Sequence, residues 1–333
     1  MAHTFLKADR IAAASLGVLE REIVLPALVW RNAGGSFRGA LDDTVTLRVP
    51  ARTTARSRQL RGTRATQGDS ASNAPRGIIE LSELTETAVP VTLDEDIYNA
   101  VAITDEQLTL DIAQFGEQVL VPQVRAVAEG LENKLADTMV GADYAYELDL
   151  AEDEDPYETF IEARKLLNMA NVPTNDRIAV VGAEIEALIL KSKHLSEADK
   201  AGDNSALRDA VIGRYAGLPR VYVSNALPSD VGFIFHRTAY VMSLQAPIVP
   251  PSVVDGSTQT YAGLAMRWIR DYDAMQLQER SIVDCYVGTN VVADGPVDEI
   301  TEQPTFVRAV KLTLGEGSSS ASASASASAS ESA

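Results

Sequence analysis

Residues that could do chemistry are few in this sequence and lie far apart. The histidines are His3, His194 and His236, and Cys285 is the one cysteine. None has a matching nucleophile or set of metal ligands nearby in the sequence, so we interpret the histidines as structural. Cys285 lies in the strand pattern SIVDCYVG, where a buried and inert thiol is expected.

The acidic cluster EDED at residues 152–155 lacks the glycine and the ligand alternation of an EF-hand loop, and we interpret it as a solvated linker.

Catalytic sequence motifs are also missing. The chain contains no Walker A loop, no GxGxxG after a predicted strand, no HExxH and no GxSxG. We therefore predict a protein that is not an enzyme and that uses no cofactor and no metal. An active site assembled from distant positions is the alternative that this pattern leaves open.

The strongest chemical signal is a segregation of charge. The formal net charge is −18, yet residues 47–67 contain six arginines and no acidic residue, while residues 77–124 contain ten acidic residues and no lysine or arginine. Because guanidinium groups pair with carboxylates, we predict that the basic arm of one copy lies across the acidic face of the next copy, in a head-to-tail contact that closes rings. The arm arginines are Arg48, Arg52, Arg56, Arg58, Arg61 and Arg64, and the predicted acceptors are Asp94, Glu95, Asp96, Asp105, Glu106, Asp111 and Glu117.

Two other interpretations of the arm stay open. It could be a disordered linker whose arginines only maintain solubility. It could also bind nucleic acid, since six arginines that neutralise phosphates would give a steep salt dependence. Against nucleic-acid binding, the arm has no aromatic residue that could stack on bases, and the acidic remainder of the chain would repel a polyanion.

Two strands are predicted to carry the arm. TVTLRVP (residues 44–50) and ETAVPVTL (residues 86–93) alternate with strand periodicity and are expected to pair as a long hairpin. Residues 51–77 between them offer too little apolar material to offset about 1 to 2 kcal/mol of backbone ordering per residue. This segment is therefore either disordered or ordered by something outside its own subunit.

The acidic region leads into a predicted helix over residues 105–140. Thr104 and Gln107 form a plausible capping box, Gly141 a plausible end, and Pro122 is expected to kink or divide the helix. Its apolar stripe consists of Leu108, Ile112, Phe115, Val119, Val124, Val127, Leu131, Leu135 and Met139.

A second unit of mixed α+β character is predicted to follow. Asp155 and Pro156 are expected to cap and open a helix that ends near Ala170. Further predicted helices are AEIEALILKS and ALRDAVIG, and predicted strands are RIAVVG, VYVSNALP and VGFIFHRTAYVMSL. YAGLAMRWIRDYD and RSIVDCYVGTNVV are expected to pair as strands. No apolar run approaches the roughly 20 residues that cross a bilayer, so we predict no membrane partner.

The order of these segments resembles the major capsid proteins of tailed bacteriophages, which have the Hong Kong 97-type capsid fold. The resemblance extends from about Leu19 to Val292. The stretches that carry it are FRGALDDTVTLRVP, ETAVPVTLDEDIYNAVAITDEQLTLD, RDAVIGRYAGLPRVYVSNALP and GLAMRWIRDYD.

The resemblance implies an α+β fold with a defined domain order. The expected parts are an N-terminal arm (1–45), an extended loop hairpin (46–91), a peripheral domain with a long spine helix (92–149), a mixed axial domain (150–258), return strands of the peripheral domain (259–315) and a Ser/Ala low-complexity tail (316–333). In such proteins the extended loop lies over an adjacent subunit.

The implied function is a subunit that self-assembles into hexamers and pentamers of an icosahedral shell around double-stranded DNA. The expected partners are copies of itself, a separate scaffolding protein, a portal protein and non-specifically packaged DNA, and the presence of a decoration protein stays open. The expected location is the virion, after assembly in the host cytoplasm. An encapsulin-like compartment shell is the nearest alternative. No lysine lies between Lys7 and Lys134, so we expect no isopeptide cross-link from the loop.

Overall fold

The computed structural model describes residues 23–31, 44–49, 81, 87–110, 115–151, 155–192, 215–253, 255–261, 264–294 and 305–315. The helices are α1 (Leu25–Leu28), α2 (Asp105–Leu110), α3 (Val121–Gly141), α4 (Pro156–Met169) and α5 (Ala183–Lys191), and a π-helical segment (Gly116–Leu120) precedes α3. The strands are β1 (Trp30–Arg31), β2 (Thr44–Val49), β3 (Thr87–Thr92), β4 (Glu95–Thr104), β5 (Glu147–Ala151), β6 (Arg177–Val181), β7 (Val221–Val223), β8 (Val231–His236), β9 (Tyr240–Gln245), β10 (Asp255–Tyr261), β11 (Leu264–Asp273), β12 (Gln278–Val291) and β13 (Ala309–Gly315). The predicted helix ALRDAVIG and the Ser/Ala tail lie outside the described residues.

The helical region after β4 has the predicted start, division and end. The Thr104 N–H donates to Gln107 Oε1 at 3.2 Å, and the Gln107 N–H donates to Thr104 Oγ1 at 3.3 Å, which confirms the capping box. Pro122 lies in the first turn of α3, directly after the π-helical segment. Because proline has no N–H and its ring crowds the preceding turn, the regular α-helix restarts at this point. α3 ends at Gly141, as predicted.

The first sheet is built around the long strand β12. One edge of β12 pairs with β4, and the other pairs first with β11 and then with β9, all antiparallel. β10 and β1 extend this sheet, in the order β1-β9-β12-β11-β10. The pairing of β11 with β12 confirms the prediction that these two segments form paired strands. In the part of the chain that the structure describes, no strand pairs with the outer edge of β4.

Helix α3 covers one face of the first sheet and buries the predicted apolar stripe. The stripe residues Val124, Val127, Leu131, Leu135 and Met139 are all at most 1% exposed. They belong to the same apolar cluster as Val283, Cys285 and Val287 of β12 and Met266 and Trp268 of β11. Burying each such side chain stabilises the fold by roughly 1.5 to 3 kcal/mol.

A buried hydrogen-bond network fixes α3 on this sheet. Gln123 Nε2 donates to the carbonyl of Ser281 at 2.8 Å and to that of Asn99 at 3.3 Å. Ser281 Oγ donates to Gln123 Oε1 at 2.8 Å and accepts from Trp268 Nε1 at 3.0 Å. One amide side chain therefore joins α3 to β4 and β12, and through Ser281 to β11.

The second sheet has the order β5-β13-β8-β6-β7 and packs against α4 and α5. Asp155 accepts a hydrogen bond from the Tyr157 N–H at 3.1 Å, and α4 begins at Pro156, which confirms the predicted cap and helix. The predicted strand RIAVVG and helix AEIEALILKS are β6 and α5. Phe160, Leu167, Ile185 and Ile234 are fully buried between the helices and the strands.

Sheet pairing crosses the predicted domain boundaries. β9 falls in the predicted axial range but pairs with β12 in the first sheet, and β13 falls in the predicted return range but pairs with β8 and β5 in the second sheet. Residues of both sheets also share one apolar cluster, in which Phe233, Tyr240 and Phe306 contact one another or Tyr144 through their rings. The division into peripheral and axial domains remains a prediction.

We predict that Gln123→Leu destabilises the fold by about 2 to 4 kcal/mol, because the carbonyls of Asn99 and Ser281 lose a buried donor and Ser281 Oγ loses its acceptor. The measurement is urea unfolding of the purified protein followed by circular dichroism. The control is Asn133→Leu, an amide-to-leucine change at an exposed position of α3, with an expected change of about 0.5 kcal/mol or less. Equal losses in the two variants would contradict a special role for the network.

Candidate intersubunit interface

The base of the predicted loop hairpin is present. β2 and β3 pair antiparallel, from Thr44 opposite Thr92 to Val49 opposite Thr87. The hydroxyl groups of Thr44 and Thr92 are 2.8 Å apart. This pairing confirms the predicted hairpin, whose tip lies outside the described residues.

The hairpin base is fixed to the first sheet by apolar contacts and hydrogen bonds. Val89 and Val91 of β3 are buried against Val241 and Val292. Asn290 Nδ2 donates to the carbonyl of Pro90, and beyond the hairpin the Asp94 N–H donates to the carbonyl of Val287 at 3.2 Å. The second half of β3 and the segment that follows it are therefore positioned by β12, its immediate continuation and β9.

Gly288 of β12 allows the closest approach between the two elements. A Cβ atom at this position would lie 2.1 Å from the carbonyl oxygen of Thr92. No side chain fits there, so the path of the chain from β3 into β4 depends on a glycine in β12.

Only one arm arginine falls within the described residues. Arg48 lies on β2 and is exposed, whereas Arg52, Arg56, Arg58, Arg61 and Arg64 lie outside the described residues. The structure therefore shows where the arm begins.

The structure divides the predicted acidic face. Asp94, Glu95, Asp96, Asp105 and Glu106 are all exposed, on β4 or beside it. Asp111 lies outside the described residues, and Glu117 lies in the π-helical segment with its side chain not described. The charges that can meet another subunit are thus concentrated along β4 and the start of α2.

Lys134 of α3 neutralises two of these carboxylates within the same chain. Its Nζ lies 2.9 Å from Asp94 Oδ2 and 2.8 Å from Glu95 Oε1. These two hydrogen bonds raise the pKa of Lys134 although partial burial acts in the opposite direction. Asp94 and Glu95 already have a cation partner, which sequence reasoning missed because Lys134 is far from both along the chain.

Asp96 has a different environment. Partial burial and the nearby negative charge of Asp284 raise the pKa of Asp96, and Arg267 only partly offsets this rise. Arg267 itself is engaged by Asp284, to which its Nε donates at 2.9 Å. Burial and a neighbouring carboxylate thus make Asp96 harder to ionise than a free aspartate.

Two exposed tyrosine rings flank Asp96. Tyr98 is two residues further along β4 and is 66% exposed, and Tyr286 lies directly opposite Asp96 on β12 and is 38% exposed. All three side chains share one face of the sheet, because alternate residues of a strand point the same way and directly paired residues do too. We call Asp96, Tyr98 and Tyr286 the Asp96 patch. The tyrosines were not predicted as site residues, although the alternation of Tyr98 with Asp96 in DIYNA was visible in the sequence.

The remaining candidate groups for chemistry are buried or structural. Cys285 is fully buried, as predicted, and its burial raises the pKa of the thiol to about 12. Burial lowers the pKa of His236, whose Nδ1 lies 2.9 Å from Thr238 Oγ1. Asp155 serves as the cap of α4, and His3 and His194 lie outside the described residues. In the described ranges, no three His, Cys, Asp or Glu side chains are grouped as metal ligands would be.

None of the described helices is both long enough and apolar enough to cross a bilayer.

Comparison with known proteins gives matches in structure alone. No family model and no curated protein sequence matches the chain. A structure from Mycobacterium phage Che8 aligns with a TM-score of 0.59 and 20% identity, over 87% of this chain and 90% of that chain. A capsid structure of cyanophage P-SCSP1u aligns with a TM-score of 0.57 and 11% identity, over 95% of this chain and 91% of that chain. A virus-like particle from Pyrococcus furiosus aligns with a TM-score of 0.51 and 9% identity, over 91% of this chain and 98% of that chain.

The chain has the fold of tailed-phage major capsid proteins. The predicted α+β, Hong Kong 97-type fold class is confirmed by these alignments, which run through almost the whole of each chain. In this capsid fold the hairpin base and the Asp96 patch both lie along β12, where the path of the chain depends on Gly288.

We predict that Gly288→Ala destabilises the capsid fold by about 2 to 4 kcal/mol, because the added methyl group meets a backbone carbonyl that cannot rotate away. The matched control is Gly141→Ala at the end of α3, where a Cβ meets nothing within 4 Å. This control is expected to be neutral or to stabilise the fold by up to about 1 kcal/mol. Urea unfolding measures both changes, and a Gly288→Ala protein as stable as the control would contradict the close approach.

Proposed function

We propose that this chain is a structural shell subunit that assembles into hexamers and pentamers of an icosahedral capsid around the double-stranded DNA of a tailed phage. The observation that carries the proposal is the end-to-end structural alignment, in which a phage capsid structure covers 95% of this chain and 91% of its own length. Assembly, and not catalysis, is the activity. The absence of catalytic sequence motifs fits this role.

The arm and the Asp96 patch are the proposed contact between neighbouring subunits. A guanidinium group fits between a carboxylate and an aromatic ring. Its N–H groups can donate to the carboxylate while its plane stacks on the ring face. Asp96 offers the carboxylate, and Tyr98 and Tyr286 offer exposed rings on the same face. An arriving arginine would also offset the negative charge of Asp284 that raises the pKa of Asp96.

Asp94 and Glu95 are proposed as weaker acceptors. An arm arginine that reaches them must compete with Lys134, which holds both carboxylates at hydrogen-bond distance. Exposed ion pairs contribute about 0.2 to 1 kcal/mol each, so an exchange of one cation for another contributes less. The Asp96 patch, where stacking adds about 0.5 to 1 kcal/mol, is therefore the favoured docking position.

Repetition turns these small contributions into a stable shell. Each subunit of a closed ring gives one arm and receives one, so a modest contact free energy is counted once per subunit. The remaining partners proposed from the family resemblance are a separate scaffolding protein, a portal protein and non-specifically packaged DNA. The location proposed on the same basis is the virion, after assembly in the host cytoplasm.

An encapsulin-like compartment shell is the alternative function that the family resemblance leaves open. The contents of purified particles separate the two functions: packaged DNA supports the phage capsid, and an enclosed enzyme supports the compartment.

We predict that the purified chain, expressed with or without a scaffolding protein, forms closed particles tens of nanometres wide in negative-stain electron microscopy. The expectation follows from the shell function, since the subunits of such a fold close on themselves through repeated contacts. A protein that stays monomeric under all assembly conditions, with and without scaffold, would contradict the proposal.

We predict that Asp96→Lys raises the protein concentration needed for assembly by about five- to tenfold, because one ion pair and one stacking contact per subunit are replaced by repulsion. Tyr98→Ala is expected to raise it by about two- to threefold, through loss of the stacking surface alone. Light scattering at several salt concentrations measures both effects.

The control for these variants is Asp143→Lys, which makes the same charge change at an exposed position outside the predicted acceptor face. A second test combines Asp96→Lys with glutamate at all six arm arginines, which should restore part of the assembly. If Asp143→Lys and Asp96→Lys have equal effects, or the combined variant shows no recovery, the arm does not dock at the Asp96 patch even though shells form.

A further inference from the structure

A cavity in the second sheet region has a lining unlike the rest of this acidic chain. It has a volume of about 850 Å³ and lies between α1, the loop that precedes β6, and the turn that precedes β7. Its polar lining includes Thr174, Asn175, Arg177, Tyr222 and Arg237. The other face is apolar, with Leu28 of α1 and Ile178 of β6.

Arg177 is buried under this cavity with its charge uncompensated. The side chain is 2% exposed, its Nε donates to the carbonyl of Pro173 at 2.8 Å, and its Nη2 donates to the carbonyl of Val172 at 2.6 Å. The third nitrogen, Nη1, is buried and has no hydrogen-bond partner. Burial and the nearby charge of Arg164 lower the pKa of Arg177. An unpaired buried cation is costly, and an anion at the cavity would relieve that cost.

Three more arginines border the same space. Arg237 lines the cavity directly, Arg220 lies with its guanidinium carbon 5.1 Å from the centre of the Tyr222 ring, and Arg164 Nη1 donates to the carbonyl of Ala216 at 3.1 Å. Gly217 makes room for Arg164: its φ is +78°, and a Cβ there would lie 1.9 Å from Arg164 Nη1. The backbone at this turn thus admits a guanidinium beside the cavity wall.

Within the described residues, no ion pair to a carboxylate involves Arg177 or Arg237, and the paired arginines are Arg267, Arg270, Arg280 and Arg308. The one acidic residue in the lining is Asp176. Two arginines and one aspartate therefore give the lining a net positive charge, in a chain with a formal net charge of −18.

We propose that this cavity binds an oxyanion, a phosphate or carboxylate group, held by Arg177 and Arg237 with Thr174 and Asn175 as neutral hydrogen-bond partners. Arginine suits this ligand because its planar donors match the oxygen spacing of phosphate and carboxylate groups. The volume of about 850 Å³ admits a small phosphate compound or an acidic side chain from a second copy. This site goes beyond the proposed shell function and does not depend on it.

The first test is calorimetric titration of inorganic phosphate into the unassembled full chain, at constant ionic strength with chloride as the balancing anion. Saturable binding of phosphate is expected. Arg237→Gln, a change at an exposed residue, should weaken the phosphate affinity about tenfold or more, because it removes one charge-assisted hydrogen bond to phosphate. The matched control is Arg125→Gln, an exposed arginine on α3 outside the cavity lining, which should leave the affinity within about twofold.

The second test separates the two sources of the oxyanion. If the ligand is a carboxylate of another copy, Arg237→Gln and not Arg125→Gln should weaken assembly, and phosphate should compete with assembly at constant ionic strength. If the ligand is a free phosphate compound, phosphate binds the subunit and assembly is unchanged. Absence of saturable phosphate binding together with normal assembly of Arg237→Gln overturns the proposal, and it leaves the shell function intact.

Discussion

Backbone pairing by β12 is the constraint on which the rest of the structure depends. Its 14 residues form ladders with β4 on one edge and with β11 and β9 on the other. A strand that uses both edges along its length cannot shift register without breaking several ladders at once. The long helix, the hairpin base and the Asp96 patch are all placed with respect to this strand, through Gln123, Gly288 and Tyr286.

The distribution of charge follows from which cations are satisfied within the chain. Lys134, Arg267 and Arg308 each hold carboxylates at hydrogen-bond distance in their own subunit. Arg177 differs from these cations, because its buried Nη1 has no hydrogen-bond partner. On the acidic side, burial and the neighbouring Asp284 raise the pKa of Asp96. Groups whose charge is poorly balanced inside a subunit are the ones that gain most from an outside partner or ligand, and for this reason the two proposals centre on Asp96 and Arg177.

Sequence patterns predicted the elements whose determinants are local. The capping box at Thr104 and Gln107, the Asp155-Pro156 helix start and the alternating strands of the hairpin depend on neighbouring residues, and the structure confirms each. Contacts between distant segments were not predictable in the same way. Lys134 meets Asp94 only because α3 lies across β4, and β13 joins the second sheet because of pairing partners more than 70 residues earlier. The cavity arginines are likewise spread from α4 to the end of β8.

The connection between β8 and β9 has a mechanical consequence. Only residues 237–239 separate these strands, although β8 belongs to the second sheet and β9 to the first. The connection is closed by a hydrogen bond from the Ala239 N–H to the carbonyl of His236 at 2.7 Å, and Ala239 is fully buried. Because residues 237–239 are so few and are fixed in this way, a tilt of one sheet is expected to be transmitted directly to the other. Val241, just beyond it, packs against Val89 and Val91 of the hairpin base, so a rotation of the second sheet would also reorient the hairpin proposed to contact the next subunit.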